Sequence, residues 1–242
     1  MGVISSARRR RVSAMVATLI VVATSVVACV PAFVTGSRYQ ATPATGAFHG
    51  TVALFVSGDA GLNFGMGRPV VKALAARGIP VLGISSPRAF GATRTRGEVD
   101  AVLADGIRRA MAMRGAKRLI LIGQSFGADM LSVAAPDLPP ALRGSVAGVV
   151  LVVPASTAYF RADPLGLAYR RAPDARPAGG MRGLDWAPVV CIRGAGESDS
   201  LCPEIAGANV MAIALPGGHF LNHDDDRLIA TILTQLDRLR IA

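Results

Sequence analysis

Six short apolar runs, each spaced from the next by a turn or a segment of helical period, restrict the folds open to this chain. They are residues 51–57 (TVALFVS), 79–84 (IPVLGI), 117–123 (KRLILIG), 146–153 (VAGVVLVV), 188–193 (PVVCIR) and 210–215 (VMAIAL). None alternates polar with apolar residues, as a strand with one wet face would. Continuous runs of this length suit strands buried on both sides. Helical period follows in residues 69–77, 96–114, 126–134 and 226–239. Strands alternating with helices predict an α/β fold, a mostly parallel sheet with helices on both faces. Residues 155–187 break the rhythm. They are too long for a plain connection, too irregular for one helix, and carry five arginines. We expect them to form a small insertion over the top of the sheet.

The first 28 residues have another purpose. Arg8, Arg9, Arg10 and Arg11 precede a mainly apolar run of 17 residues ending at Ala28. A basic block, an apolar stretch and a small residue at the end form an export signal. Val26-Val27-Ala28-Cys29 resembles a bacterial lipobox, which would make Cys29 the lipidated first residue; cleavage at Ala28 or after Ala32 is the ordinary alternative. The expected organisation is an export signal at 1–28, a tether at 29–48 and a folded domain at 49–242.

The formal charge of +10 invites a nucleic-acid reading until the charge is located. Removing the signal leaves 22 basic against 16 acidic residues, a charge of +6. Aromatic residues are few and not interleaved with the basic ones, so no nucleic-acid partner is expected. A negatively charged membrane surface suits an exported basic protein better. Cys191 and Cys202 form an even pair in an exported chain, which predicts a disulfide. No His or Cys has metal-ligand spacing.

The chemistry centres on Gly123-Gln124-Ser125-Phe126-Gly127, a G-x-S-x-G sequence between a strand and a helix. A sharp turn there lifts the serine hydroxyl above the strand ends, and small flanking residues let the backbone pass its neighbours. A serine needs a base. His219 follows the last strand, at the same end of the sheet as Ser125, and is preferred to His223; His49 precedes the first strand and reads as surface. The carboxylate that orients the base should follow an intermediate strand. Asp199 is the expected residue, with Glu197 the alternative. The oxyanion donors are expected at the Phe126 amide and at the Asp59 or Ala60 amide in the first loop. Asp59 and Asp129 are also candidates to receive a cationic substrate group.

Taken together, Ser57-Gly58-Asp59-Ala60-Gly61, Gly123 to Asp129, Glu197-Ser198-Asp199-Ser200-Leu201-Cys202-Pro203 and Leu215-Pro216-Gly217-Gly218-His219 resemble the bacterial VirJ/AcvB virulence-protein family over residues 50–238. The chain departs from the family pattern at Ala60, usually glycine, and at Leu62, usually aromatic. The resemblance implies a periplasmic α/β-hydrolase that cleaves lysyl-phosphatidylglycerol without any cofactor. Its substrate partner would be an aminoacylated anionic phospholipid, and type IV secretion components are further partners by the same resemblance. Two other readings stand beside it: an exported esterase of different specificity, and a binding or chaperone protein with an idle serine.

Overall fold

A computed structural model describes residues 36–205, 207 and 209–241. The expected export signal and Cys29, the expected lipidation site, lie outside the described residues. Seven strands form one sheet: β1 (Tyr39–Thr42), β2 (Thr51–Val56), β3 (Val81–Ile84), β4 (Arg118–Gln124), β5 (Val146–Val152), β6 (Val189–Gly194) and β7 (Val210–Leu215). Their order is β1-β3-β2-β4-β5-β6-β7. Only β1 is antiparallel.

The continuous apolar runs have the cause the sequence suggests. Successive residues of a strand point to opposite faces, and both faces are covered in the strands inside the sheet; the expectation fails for the edge strand β7, whose Met211, Ala212 and Ala214 are exposed despite its apolar run. Val52, Leu54 and Val56 of β2 face one core with Leu119 and Leu121 of β4. That core is closed by Val99, Leu103 and Ile107 of the helix Arg96–Met111 and by the helix Phe126–Ala134. Ala53, Phe55, Ile120 and Ile122 face the other core. The helices Gly67–Ala76 and Asp225–Arg238 cover it through Val70, Leu74, Leu228, Ile232 and Leu236. The helix Arg96–Met111 begins at a capping box, in which Thr95 and Glu98 each satisfy the other's backbone amide.

One boundary needs correction. The expected tether at 29–48 contains β1, which pairs with β3 at the sheet edge. Tyr39 donates a 2.6 Å hydrogen bond to Asp105, and the Thr45 amide donates to Ala75 O. An edge strand with mostly exposed side chains has no apolar run to announce it. The insertion at 155–187 is largely irregular, with a one-turn helix at Ala168–Arg170 and a short one at Ala178–Arg182. It does lie against the carboxyl ends of the strands, because Ala155, Thr157, Tyr159 and Tyr169 border the same cavity as Ser125. Among the described residues no helix is long and apolar enough to cross a membrane.

Candidate active site

Ser125 sits between the end of β4 and a helix N-terminus with φ +51° and ψ −124°. A non-glycine residue in that region stores roughly 1–3 kcal/mol of strain and persists only where its surroundings fix it. Here the Ser125 amide donates to Val152 O, and its carbonyl accepts the Ala128 and Asp129 amides. The neighbouring glycines are required by close approach. A Cβ on Gly127 would lie 2.1 Å from Val56 O, and one on Gly123 2.5 Å from Gly127 O.

The Ser125 hydroxyl is 2.8 Å from His219 Nε2. On the other side of the ring, Nδ1 is 2.7 Å from Glu197 Oε1. The orienting acid is therefore placed at Glu197, and the expectation of Asp199 is corrected. The reason lies in the length of β6, which runs to Gly194 and leaves Glu197 three residues beyond it. Glu197 turns back so that its Oε2 accepts the Gly194 amide at 2.8 Å. The acid and histidine loops are stitched together, with the Ala195 amide on Leu215 O and the Gly196 amide on Gly217 O. Asp199 is drawn away to the insertion, where its carbonyl accepts the Ser156 amide. Its side chain borders the cavity beside Ser125 without contacting His219. His223 stacks on Phe220, ring centroids 5.6 Å apart, and has no contact with Ser125.

Cys191 and Cys202 form a disulfide, with Cα atoms 5.5 Å apart. It clips the end of the loop that carries both Glu197 and Asp199 to the buried interior of β6.

Gly58-Asp59-Ala60-Gly61 makes a turn closed by the Gly61 amide on Gly58 O at 3.0 Å. Only Gly61 of the four adopts positive φ, +89°, so Ala60 fits the turn without strain. The turn borders a cavity that also exposes Ser125 and His219. The Phe126 amide opens its helix and has no carbonyl four residues back to bond. Both expected sources of oxyanion donors thus lie beside the serine.

The two cavities meeting at Ser125 differ in character. One, of about 320 Å3, is bordered by Asp59, Asp129, Asp199, Tyr159 and Tyr169, and among the described residues no Lys or Arg lines it. Asp129 accepts the Ala155 amide at 2.8 Å. Burial pushes its carboxyl well above the usual range, and the negative charges of Asp59, Asp199 and Glu197 push it further. Asp59 accepts hydrogen bonds from the Tyr169 hydroxyl and the Asp163 amide. Burial still raises its carboxyl above the ordinary value. The second cavity, about 360 Å3, shares Asp59 but is otherwise walled mainly by Gly58, Ala60, Gly61, Phe64, Gly65, Gln124, Pro164 and Phe220. The insertion's tyrosines were not anticipated as site residues. Two of the chain's three tyrosines falling in one irregular segment was the available signal.

A nucleophile, a base, an orienting acid and a helix-start amide on a parallel sheet define the α/β-hydrolase class. Solved structures agree on the fold. Est1E from Butyrivibrio proteoclasticus matches with a TM-score of 0.59 at 13% identity, over 82% of this chain and 95% of that one. The Pyrococcus furiosus esterase Pf2001 matches at 0.59 and 16%, over 85% and 96%. The enol-lactonase from Burkholderia xenovorans LB400 matches at 0.61 and 16%, over 83% and 96%. No curated protein matches the sequence significantly. The family model for the bacterial virulence protein VirJ matches residues 50–240, and the chain belongs to that family.

Proposed function

We propose that this protein is a periplasmic serine hydrolase that releases the amino acid from aminoacyl-phosphatidylglycerol, with lysyl-phosphatidylglycerol the preferred substrate. The observation that carries the reading is the acidic cavity beside Ser125, where Asp59, Asp129 and Asp199 converge with no Lys or Arg among the described residues. Like charges held in a partly desolvated space favour a ligand that brings positive charge. An aminoacyl ester brings an ammonium group next to its carbonyl, and a lysyl ester brings a second. Family membership and esterase-named structural neighbours support the ester-hydrolase part of the reading. The disulfide is compatible with an oxidising compartment such as the periplasm.

In this reaction His219 takes the Ser125 proton as the hydroxyl oxygen attacks the aminoacyl carbonyl. Glu197 holds the proton on Nδ1, so that Nε2 is free to accept. The oxyanion rests on the Phe126 amide and an amide of the first loop. The ester bond to the lipid breaks, and His219 gives its proton to the departing glycerol oxygen. Water, deprotonated by His219, then cleaves the aminoacyl-serine ester and restores Ser125 as the free amino acid leaves.

The test is incubation of the chain and its Ser125→Ala variant with lysyl-phosphatidylglycerol vesicles, quantifying free lysine and phosphatidylglycerol. Release by the parent alone supports the reading. No release by a parent that still reacts with a fluorophosphonate probe transfers the serine chemistry to another ester. No reaction with the probe either would favour the binding-protein alternative.

A further inference from the structure

The described surface exposes few large apolar side chains, and most of them gather at one place. Phe64 is 53% exposed, Leu165 81%, Leu167 57% and Phe220 62%. Phe64 and Phe220 stand at the wall of the apolar cavity that reaches Ser125, and Pro164 completes that wall. Leu165 and Leu167 flank Gly166 at the tip of the loop that Pro164 begins. Three separate loops, the one after β2, the insertion and the histidine turn, thus bring exposed apolar groups to one cavity mouth.

The insertion loop is mounted firmly. Asp163 accepts the Leu165 and Ala168 amides at 3.0 and 2.7 Å. The Asp163 amide and the Tyr169 hydroxyl both donate to Asp59. The two leucines, 81% and 57% exposed, are therefore displayed by a loop anchored in the site. Arg161 and Arg170 bracket the same loop, both exposed and neither in an ion pair among the described residues. Arg171, one residue further, is by contrast engaged with Asp174. Exposed apolar tips between unpaired guanidinium groups match an anionic bilayer. The tips enter below the headgroups while the cations meet phosphate.

We propose that the rim formed by Phe64, Leu165, Leu167 and Phe220, with Arg161 and Arg170, docks on an anionic phospholipid membrane and sets the cavity mouth at headgroup depth. The proposal rests on the lipid-substrate reading for its purpose and adds the surface that delivers the substrate. A lipid ester drawn up from the bilayer enters along the apolar wall, and its amino-acid end passes Ser125 into the acidic side. This explains why the arginines of the insertion do not line the acidic cavity. They belong to the outer face, where the headgroups lie.

The experiment uses residues 30–242, which contain the whole described fold without the signal or Cys29. Sedimentation with vesicles of phosphatidylcholine alone, and with 30 mol% phosphatidylglycerol, measures binding. The parent is expected to bind the anionic vesicles, more weakly as salt rises. Arg161→Gln with Arg170→Gln should weaken binding by about 30-fold at low salt, at the usual contribution of two surface cations. Leu165→Ser with Leu167→Ser should weaken it by about tenfold. Both pairs should keep the parent's rate of fluorophosphonate labelling at Ser125, which shows an intact site. Equal binding to both vesicle types, or binding indifferent to the leucine pair, would overturn the docking surface. Vesicle binding through the rim without lysine release refutes the substrate reading alone. Lysine release from detergent-dispersed lipid without vesicle binding refutes the docking alone.

Discussion

Replacing Glu197 by Gln gives a sharp test of the site because the structure dictates which way the amide must face. Glu197 Oε2 accepts the Gly194 amide at 2.8 Å, and Oε1 faces His219 Nδ1 at 2.7 Å. The Gly194 N–H can only donate. A glutamine must therefore give it the carbonyl oxygen and turn its NH2 toward His219. The imidazole answers by accepting at Nδ1, which moves its proton to Nε2. That nitrogen, 2.8 Å from the Ser125 hydroxyl, can then no longer take the serine proton. The fold is undisturbed, but the tautomer is wrong. An equivalent amide substitution in the serine-protease triad lowers kcat by about 10⁴, equivalent to about 5.4 kcal/mol at 1.36 kcal/mol per decade.

Asp199→Asn supplies the contrast. Its fixed contact is made by the backbone carbonyl to the Ser156 amide, and its side chain only borders the cavity. We expect less than a tenfold effect on a neutral acyl donor, for which cation recognition is irrelevant (about 1.4 kcal/mol at most). The assay is the second-order rate of fluorophosphonate labelling, with Ser125→Ala as the floor, since it reads the activated serine whatever the natural substrate. A Glu197→Gln protein that keeps a tenth of the parent rate, or an Asp199→Asn protein that loses a thousandfold, would refute the assignment.

Asp129→Asn should raise the melting temperature at pH 7–8 and have little effect near pH 3. A carboxyl whose folded-state pKa is raised supplies stability below its unfolded pKa and loses it as pH rises through the folded one. The amide oxygen can still accept from Ala155, so thermal melts across pH isolate the charge; a lower melting temperature at pH 8 would contradict the sign. The same variant should raise KM for a lysyl ester by about tenfold or more, as expected for losing one charged hydrogen bond, while leaving an acetyl ester unchanged. Cys191→Ala with Cys202→Ala should cost about 2.8 kcal/mol by chain entropy for their sequence separation of 11. That corresponds to a fall of roughly 5–10 °C in Tm, read by calorimetry. Gly127→Ala should destabilise by about 3 kcal/mol, because backbone rather than a movable side chain occupies the added Cβ position. Gly144→Ala, which meets nothing within 4 Å, is the near-neutral control in the same denaturation series.

The central strands were legible because burial on both faces writes itself as an unbroken apolar run. β1 was not, since an edge strand needs only backbone hydrogen bonds from β3 and keeps its side chains largely exposed. The order of serine, acid and histidine could be read from the strand each one follows. The choice between Glu197 and Asp199 could not. It depends on where β6 ends and on a backbone turn that brings one side chain back onto Gly194 while the other residue is tied to the insertion. The unusual length of residues 155–187 pointed to an insertion over the site. Which of its residues turn inward is a matter of tertiary packing. Tyr159 and Tyr169 do, with ring centroids 5.0 Å apart beside the acidic cavity.

Asp59 links the parts that sequence analysis treats separately. Its backbone belongs to the turn beside Ser125, one of the two expected sources of oxyanion donors. Its carboxylate reaches the insertion, accepting from Tyr169 and from the amide of Asp163. It also borders both cavities. The loop that displays Leu165 and Leu167 is thus fastened to the residue beside the reacting carbonyl. A hydrogen-bonded carboxylate there holds the insertion loop and adds to the acidic field. Its burial works against its own ionisation. Carboxylates perturbed in this way cluster at functional sites. On the proposed function, the acidic side would select what is cleaved and the apolar side where the substrate comes from. Because Asp59 borders both cavities yet hydrogen-bonds to neither His219 nor Glu197, its replacement should disturb both walls and leave the Ser125–His219–Glu197 hydrogen bonds in place.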